Sequence, residues 1–305
     1  MFRHTKRLQF DARPAAPDAA YAAKLQELIG GAFGEMTVAM QYLMQGWNCR
    51  MPGKYKDMLL DIGTEEIGHV EMLSTMVARL LEGAPAETTA KHCAANPALA
   101  AIVGGQNPQH AIVAGGGATL ADSGGQAWSG KYIIASGNLM ADFAANAAAE
   151  MQGLTQATRL YNMTDDPGVR EMLAFNIARD TMHQNQWLAA MEELKADGIE
   201  GIPTPATHPW EDRNLEHSYT FWALSDGEDS AQGRWAGGPT PDGKGEFVYL
   251  ADPQALGSEA DPAPPASDPM LYATAPEADK KPAVGGPGEA PGGENVLGKL
   301  KDKLT

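Results

Sequence analysis

Two prolyl-glycine pairs, Pro52-Gly53 and Pro167-Gly168, each interrupt a long run of helix-forming residues, and this repeated break constrains the fold more than any other feature of the chain. From about Ala19 to Cys49 apolar residues recur at three- and four-residue spacing, as in Leu25, Leu28, Ile29, Phe33, Met36 and Met40, which predicts one long amphipathic helix. Met51-Pro52-Gly53 ends it, and Tyr55 to Leu81 resumes the pattern until Gly83 and Pro85. A second pair follows. Ser136 to Asn162 reads as helix, Thr164-Asp165-Asp166-Pro167-Gly168 as a turn, and Val169 to Lys195 as helix again, with Asp165 or Asp166 as its cap and Pro167 near its first turn. A Gly-rich connection, roughly Glu82 to Tyr132, joins the two hairpins.

Polar residues inside these helices fall into register. Glu35 lies 17 residues before Pro52 and His69 lies 17 after it. At the helical rise per residue, both stand about 25 Å from the turn. Glu150 lies 17 residues before Pro167, and His183 lies 16 after it. Glu66-x-x-His69 adds a carboxylate one turn from an imidazole, the spacing at which bundle proteins present metal ligands. Alone, that short motif reads as a surface glutamate and a buried histidine. Its setting argues for metal: Glu35 shares a face with Leu28 and Met36, and Glu150 follows the apolar run Ala144 to Ala149, where an unpaired charge is costly. Glu35, Glu66, His69, Glu150 and His183 suffice for two ions if Glu66 bridges them. Mixed carboxylate and imidazole ligation suits redox-active manganese or iron better than structural zinc. Two hairpins around such a core, joined by one long crossover, predict an all-α, ferritin-like four-helix bundle.

The expected organisation is a catalytic bundle over residues 1–200, an irregular extension over 201–251, and a largely disordered tail over 252–305. Pro, Ala, Gly and acidic residues dominate the tail, which cannot bury enough apolar surface to offset its ordering entropy. Leu297, Leu300 and Leu304 near its end fit either a short docking helix or a solvated, fraying end. A net charge of -16 argues against nucleic acid as a partner. No apolar signal region follows the basic N-terminus and no run is long enough to span a bilayer, so a soluble cytoplasmic protein is expected. Cys49 and Cys93 form no disulfide framework and are expected as free thiols. His4, His92, His110, His208 and His217 lie outside the paired helices and are expected to be structural or surface residues. Met36, Met40 and Met44 follow one helical face and are read as core filler.

Met1-Phe2, Glu35, Glu65-Glu66-Ile67-Gly68-His69, Pro108-Gln109-His110, Ser136-Gly137-Asn138-Leu139 and Tyr161-Asn162-Met163-Thr164-Asp165-Asp166-Pro167 through His183-Gln184-Asn185-Gln186 resemble manganese catalases. The order and spacing of these motifs, over most of residues 1 to 245, carry the resemblance. It implies a non-haem enzyme that dismutates hydrogen peroxide to water and dioxygen. Glu66 would bridge two manganese ions, with Glu35 and His69 completing one and Glu150 and His183 the other. A homohexamer is implied too, with the C-terminal extension packed on neighbouring subunits. Glu35 is the candidate proton relay as well as a ligand. Tyr42, two turns further along the same face, fits either a hydrogen bond within the site or a packed core tyrosine.

Asp57 and Asp61 match positions that in some relatives bind calcium with help from an Asn-x-Ser-x-Gly stretch. Here that stretch reads Ala223-Leu224-Ser225-Asp226-Gly227 and lacks the Asn. Asp57, Asp61, Ser225 and the Gly227 carbonyl could supply hard oxygen ligands, and two solvated aspartates near a helix start fit as well. Relatives often carry a basic residue immediately before the second-hairpin glutamate or two turns after it, where this chain has Ala149 and Ala157. Asp180, one turn before His183, matches the usual partner of that base. It is therefore either a carboxylate beside the cluster without its cation or a direct ligand. Two rival readings remain: a di-iron oxidase or ferroxidase, whose second Glu-x-x-His unit Asp180-x-x-His183 imitates, and a non-enzymatic spore-coat or stress oligomer.

Overall fold

Glycine divides the first expected helix. In the computed structural model, which describes residues 7–51, 53–83, 107–199, 209, 212, 214–224 and 229–257, this stretch forms α1 (Ala19–Leu25), α2 (Glu27–Gly30) and α3 (Glu35–Asn48). Gly30 leaves no room for a side chain, because a Cβ there would lie 2.3 Å from the carbonyl oxygen of Ala121. The crossover passes against the helix backbone at this point. Gly31 and Gly34 then take extended backbone before the helix resumes. Glu35 thereby becomes the first residue of a helix instead of a mid-helix residue, close to the unsatisfied N–H groups that favour a negative charge.

Three of the remaining helices keep close to the expected limits, α4 (Gly53–Leu80), α6 (Leu139–Tyr161) and α7 (Pro167–Ala196), while two short ones were not expected, α5 (Pro108–Ile112) in the crossover and α8 (Leu215–Ser218) in the extension. Asn138, not Ser136, caps α6 by accepting from the Ala141 N–H at 3.0 Å. Ser136 and Gly137 instead wrap the buried carboxylate of Asp142. Asp166 caps α7, its Oδ1 accepting from Gly168 and Val169. Its Oδ2 accepts from the backbone of Ala15 and Ala16, which fastens the N-terminal segment to the second hairpin.

α3 packs along α4 and α6 along α7, and two apolar clusters fill the bundle. One gathers Leu25, Leu28, Met76, Leu80, Leu160 and Val169 at the end where α4 stops and the α6–α7 turn lies. The other gathers Tyr42, Tyr55, Leu59, Phe143, Trp187 and Leu194 at the opposite end. The crossover returns the chain from the first end to the second, so α4 and α6 run in the same direction and α3 runs opposite to α6. Buried polar residues of α4, α6 and α7 fall between the clusters in sequence, and hence at mid-height in the bundle.

One packing expectation fails. Met36, Met40 and Met44 are only half-buried, because the inward face of α3 is the adjacent stripe Glu35, Val38, Gln41, Tyr42 and Gln45. Cys49 is a buried free thiol. His110 is buried, and His217 is exposed. Pro52, Pro85, His4, His92, Cys93, His208, Ser225, Gly227 and the tail from 258 onward, including Val296 to Leu304, lie outside the described residues. The chain divides into two compact units: Met1–Tyr219 with Gly237–Phe247, and Thr220–Ala236 with the chain from Val248. In the second, β1 (Thr220–Trp222) and β2 (Val248–Leu250) pair in parallel, Phe221 opposite Tyr249. Among the described residues no helix is long and apolar enough to cross a membrane.

Candidate metal centre

The bundle's mid-height layer is polar where a helix core is ordinarily apolar. Glu35 from α3, Glu66 and His69 from α4, Glu150 from α6, and Asp180 and His183 from α7 are all buried. They form two overlapping groups, Glu35, Glu66, His69 and Asp180, and Glu66, Glu150, Asp180 and His183, in each of which one potential ligand atom per residue lies within 4.8 Å of the others. The two-hairpin register read from the sequence thus brings these residues together.

Glu66 stands between the two imidazoles. Its Oε2 is 2.7 Å from Nδ1 of His69, and its Oε1 is 2.6 Å from Nδ1 of His183. Neither contact is aligned as a hydrogen bond, and both Glu66 oxygens and both Nδ1 atoms have no hydrogen-bond partner. Buried polar atoms are rarely left so. Lone pairs converging from oxygen and imidazole nitrogen are what a divalent cation accepts.

The electrostatics agree. Burial first, then the charge of Glu66, push the Glu35 carboxyl up to about 7. Burial and neighbouring carboxylates hold Glu150 and Asp180 well above the usual carboxylate range. Burial also opposes the charge of Glu66, but His69 and His183 outweigh it and hold that carboxyl below the usual range. His183 rises to about 9 despite burial, chiefly through Glu66. Without a cation this cluster must carry protons to relieve its mutual repulsion. Divalent cations would take their place, so the donor set fits the two-ion reading of the sequence.

Around the cluster stands a layer the sequence reading did not single out. Glu65 accepts from Nε2 of His183 at 3.0 Å and lies 4.0 Å from Nε2 of His69. Arg179 binds the same carboxylate through Nε at 2.5 Å and a second nitrogen at 2.9 Å, and Gln9 donates to it at 2.6 Å. Burial works against the Glu65 charge, but Arg179, His183 and Gln9 together lower its pKa to about 2. A carboxylate only accepts, so His183 carries its hydrogen on Nε2 and turns Nδ1 toward Glu66. Asn176 donates to Glu35 Oε1 at 2.9 Å and to both Asp180 oxygens. Helical spacing carried the signal: Glu65 precedes His69 by four residues, Arg179 precedes His183 by four, and Asn176 precedes Asp180 by four.

Tyr42 donates to Glu150 Oε1 at 2.6 Å, and its ring lies against Trp187 with centroids 4.8 Å apart. Both readings of this tyrosine therefore hold at once. Burial and the Glu150 charge raise its own pKa well above the ordinary tyrosine value, which keeps it a donor. Ala149 and Ala157 are buried in the apolar walls. Among the described residues, Arg179 is the cation that reaches a histidine of the centre, through Glu65. Asp57 and Asp61 stand exposed on α4, and among the described residues they join no converging ligand group.

The model of the manganese-containing catalase family matches residues 1–284. A manganese catalase of Bacillus subtilis is 53% identical over 267 residues, covering 87% of this chain and 96% of the relative. The manganese catalase of Lactiplantibacillus plantarum is 43% identical over 257 residues, covering 84% and 94%. Among solved structures, KatB, a manganese catalase from Anabaena, superposes with a TM-score of 0.64 at 26% identity, covering 83% of this chain and all of that one.

Proposed function

The chain belongs to the manganese-containing catalase family, and on that premise we propose that it dismutates hydrogen peroxide to water and dioxygen at a dimanganese centre held by Glu35, Glu66, His69, Glu150 and His183. The observation that supports this most directly is the placing of the two Glu66 oxygens, each against a different imidazole nitrogen. Two manganese ions would supply the two-electron redox chemistry that takes up one peroxide as oxidant and the next as reductant.

The chain's own residues supply geometry, charge and protons. Glu66 spans both positions, while Glu35 with His69 and Glu150 with His183 define the two flanks. Glu65, held ionised by Arg179, orients the His183 ring. Tyr42 fixes the Glu150 carboxylate through its hydroxyl. Glu35 is the proton carrier in this reading: Asn176 holds its Oε1, and its Oε2 faces the cluster 3.6 Å from Nδ1 of His69. The apolar clusters above and below exclude bulk water from this layer.

The same reading takes the chain as a homohexamer in which 201–251 packs on neighbouring subunits, as the motif resemblance implies, and as a cytoplasmic protein with 252–305 as tail, as the sequence composition suggests. Calcium at Asp57 and Asp61, with Ser225 and Gly227, stays a subsidiary proposal supported only by the match of those positions. Membership of this family favours catalase over the di-iron oxidase and over a non-enzymatic oligomer. The test is oxygen release from hydrogen peroxide by purified protein whose manganese and iron are quantified in the same sample. Oxygen at half the peroxide consumed, scaling with manganese, supports the proposal; peroxide loss without oxygen, or activity that tracks iron, defeats it.

A further inference from the structure

Glu66 and Asp180 are the two residues common to both groups of converging ligands. They hold equivalent places in the two hairpins, since each stands three residues before a histidine of the centre, Glu66 before His69 on α4 and Asp180 before His183 on α7. At that spacing both present a carboxylate on the face that carries the imidazole.

Asp180 is 3% exposed, and its partners do not neutralise it. The amide of Asn176 donates to its two oxygens at 2.9 and 3.0 Å, and Oδ1 lies 3.6 Å from Nδ1 of His69. No lysine or arginine among the described residues forms an ion pair with it, and Ala149 and Ala157 are buried in the apolar clusters. A buried carboxylate without a cationic partner is costly. One amide donor leaves each oxygen a further lone pair. Four carboxylates and two neutral imidazoles balance two divalent ions in charge, whereas three carboxylates leave the pair cationic.

Resting on the dinuclear reading above, we infer that Asp180 is itself a metal ligand shared by both ions, a second carboxylate bridge that mirrors Glu66. The centre then has six protein ligands: Glu35, Glu66, His69, Glu150, Asp180 and His183.

Binding isotherms for manganese(II) on metal-stripped full-length protein test this, with Asp180→Asn and Asp180→Glu beside the unaltered chain. Asp180→Asn keeps the side-chain shape and removes the charge. It is expected to weaken binding of the ion pair at least tenfold and to change the electron paramagnetic resonance signature of the coupled ions, with Asp180→Glu restoring most of the affinity. Two manganese bound by Asp180→Asn with unchanged affinity and unchanged coupling would overturn the inference. An experimental structure of the unaltered, manganese-loaded chain tests it without any variant: Asp180 oxygens on both ions support it, and Asp180 on one ion or neither overturns it. Catalase chemistry is judged separately by oxygen release from the unaltered protein, so the bridge can fail while the dimanganese reading stands.

Discussion

Glu65 sets its Oε2 3.0 Å from Nε2 of His183 while Arg179 grips both oxygens of the same carboxylate. The pair is a positioning device. Arg179 touches none of the converging ligand atoms, yet it keeps Glu65 ionised, and an ionised Glu65 fixes the tautomer of His183. Replacing Arg179 by Met preserves much of the side-chain stem and removes the guanidinium. Manganese affinity is then expected to fall about 10- to 100-fold, the usual scale for groups that orient a metal-bound histidine. A manganese titration reads this directly. The helix itself should keep its thermal midpoint to within a few degrees, because half-exposed ion pairs contribute little to stability. Unchanged affinity in Arg179→Met would show that Glu65 holds His183 without help.

Asp166 gives a pH-dependent prediction away from the centre. Four backbone N–H groups, from Ala15, Ala16, Gly168 and Val169, converge on its carboxylate. Burial opposes its charge, but those donors outweigh it and lower its pKa below the ordinary aspartate value. A folded-state pKa below the unfolded one stabilises the fold above the unfolded value, about 3.9. That stabilisation is lost as pH falls through the folded value. Asp166→Asn should therefore lower the thermal midpoint at pH 7 and approach the unaltered protein in stability once pH has fallen below the lowered folded-state value. Asp166→Ala, which also loses the cap, should be less stable by about 1 kcal/mol or more at neutral pH. Parallel midpoints for the unaltered chain and Asp166→Asn across the acid range would refute the assignment.

The hairpins, their turns and the polar register were legible in the sequence because each rests on local rules. Pro-Gly breaks, capping aspartates and three-to-four spacing act within one or two turns of helix. What the sequence concealed depends on contacts between distant segments. Nothing near Gly30 signals that Ala121 will lie against its backbone, so the break before Glu35 was invisible. The inward face of α3 proved to be the stripe through Glu35, Gln41, Tyr42 and Gln45, because Gln41 and Gln45 bond Asn146 on α6 and the backbone of Ile134 in the crossover. Apolar periodicity alone favours the methionine stripe beside it. Glu65 and Arg179 had the right spacing, but glutamates and arginines on a helix surface are common, and only the fold brings these two together from α4 and α7.

Gly168 marks a close approach that a single methyl group should disturb. A Cβ at this position would lie 1.9 Å from the carbonyl oxygen of Arg13. Helix propensity favours alanine over glycine by up to about 1 kcal/mol. Overpacking against backbone costs about 1–3 kcal/mol and here strikes a segment that Asp166 must also hold. Gly168→Ala is therefore expected to be net destabilising and to expose the N-terminal segment around Arg13 to trypsin. A thermal midpoint equal to or above that of the unaltered chain would show that the segment moves aside freely.

Gln26 is the other hidden joint, and it decides whether the described part of the crossover is held to the bundle. Its side chain is fully buried. Nε2 donates to the carbonyls of Thr119 and Ala121 at 2.5 and 2.9 Å, and Oε1 accepts from the Thr119 N–H at 3.2 Å and faces Nε2 of His110 at 3.0 Å. Burial lowers the His110 pKa, so the ring is neutral and its hydrogen sits on Nε2, the atom that meets an obligate acceptor. Gln26→Leu fills similar space but strands these partners, at a cost on the order of 1–3 kcal/mol for each buried group left unpaired. Gln26→Glu should do no better at neutral pH. A carboxylate can accept from Thr119 and His110, yet its second oxygen would face two carbonyl oxygens instead of donating to them. Acid should distinguish the two variants: protonation gives the glutamic acid one donor hydrogen and recovers part of the lost stability, while the leucine variant gains nothing equivalent. Limited proteolysis around residues 113–126, followed at pH 5 and pH 8, reads both effects. Equal cleavage in the two variants at both pH values would mean that the crossover is held by its backbone contacts with α2 and not by Gln26.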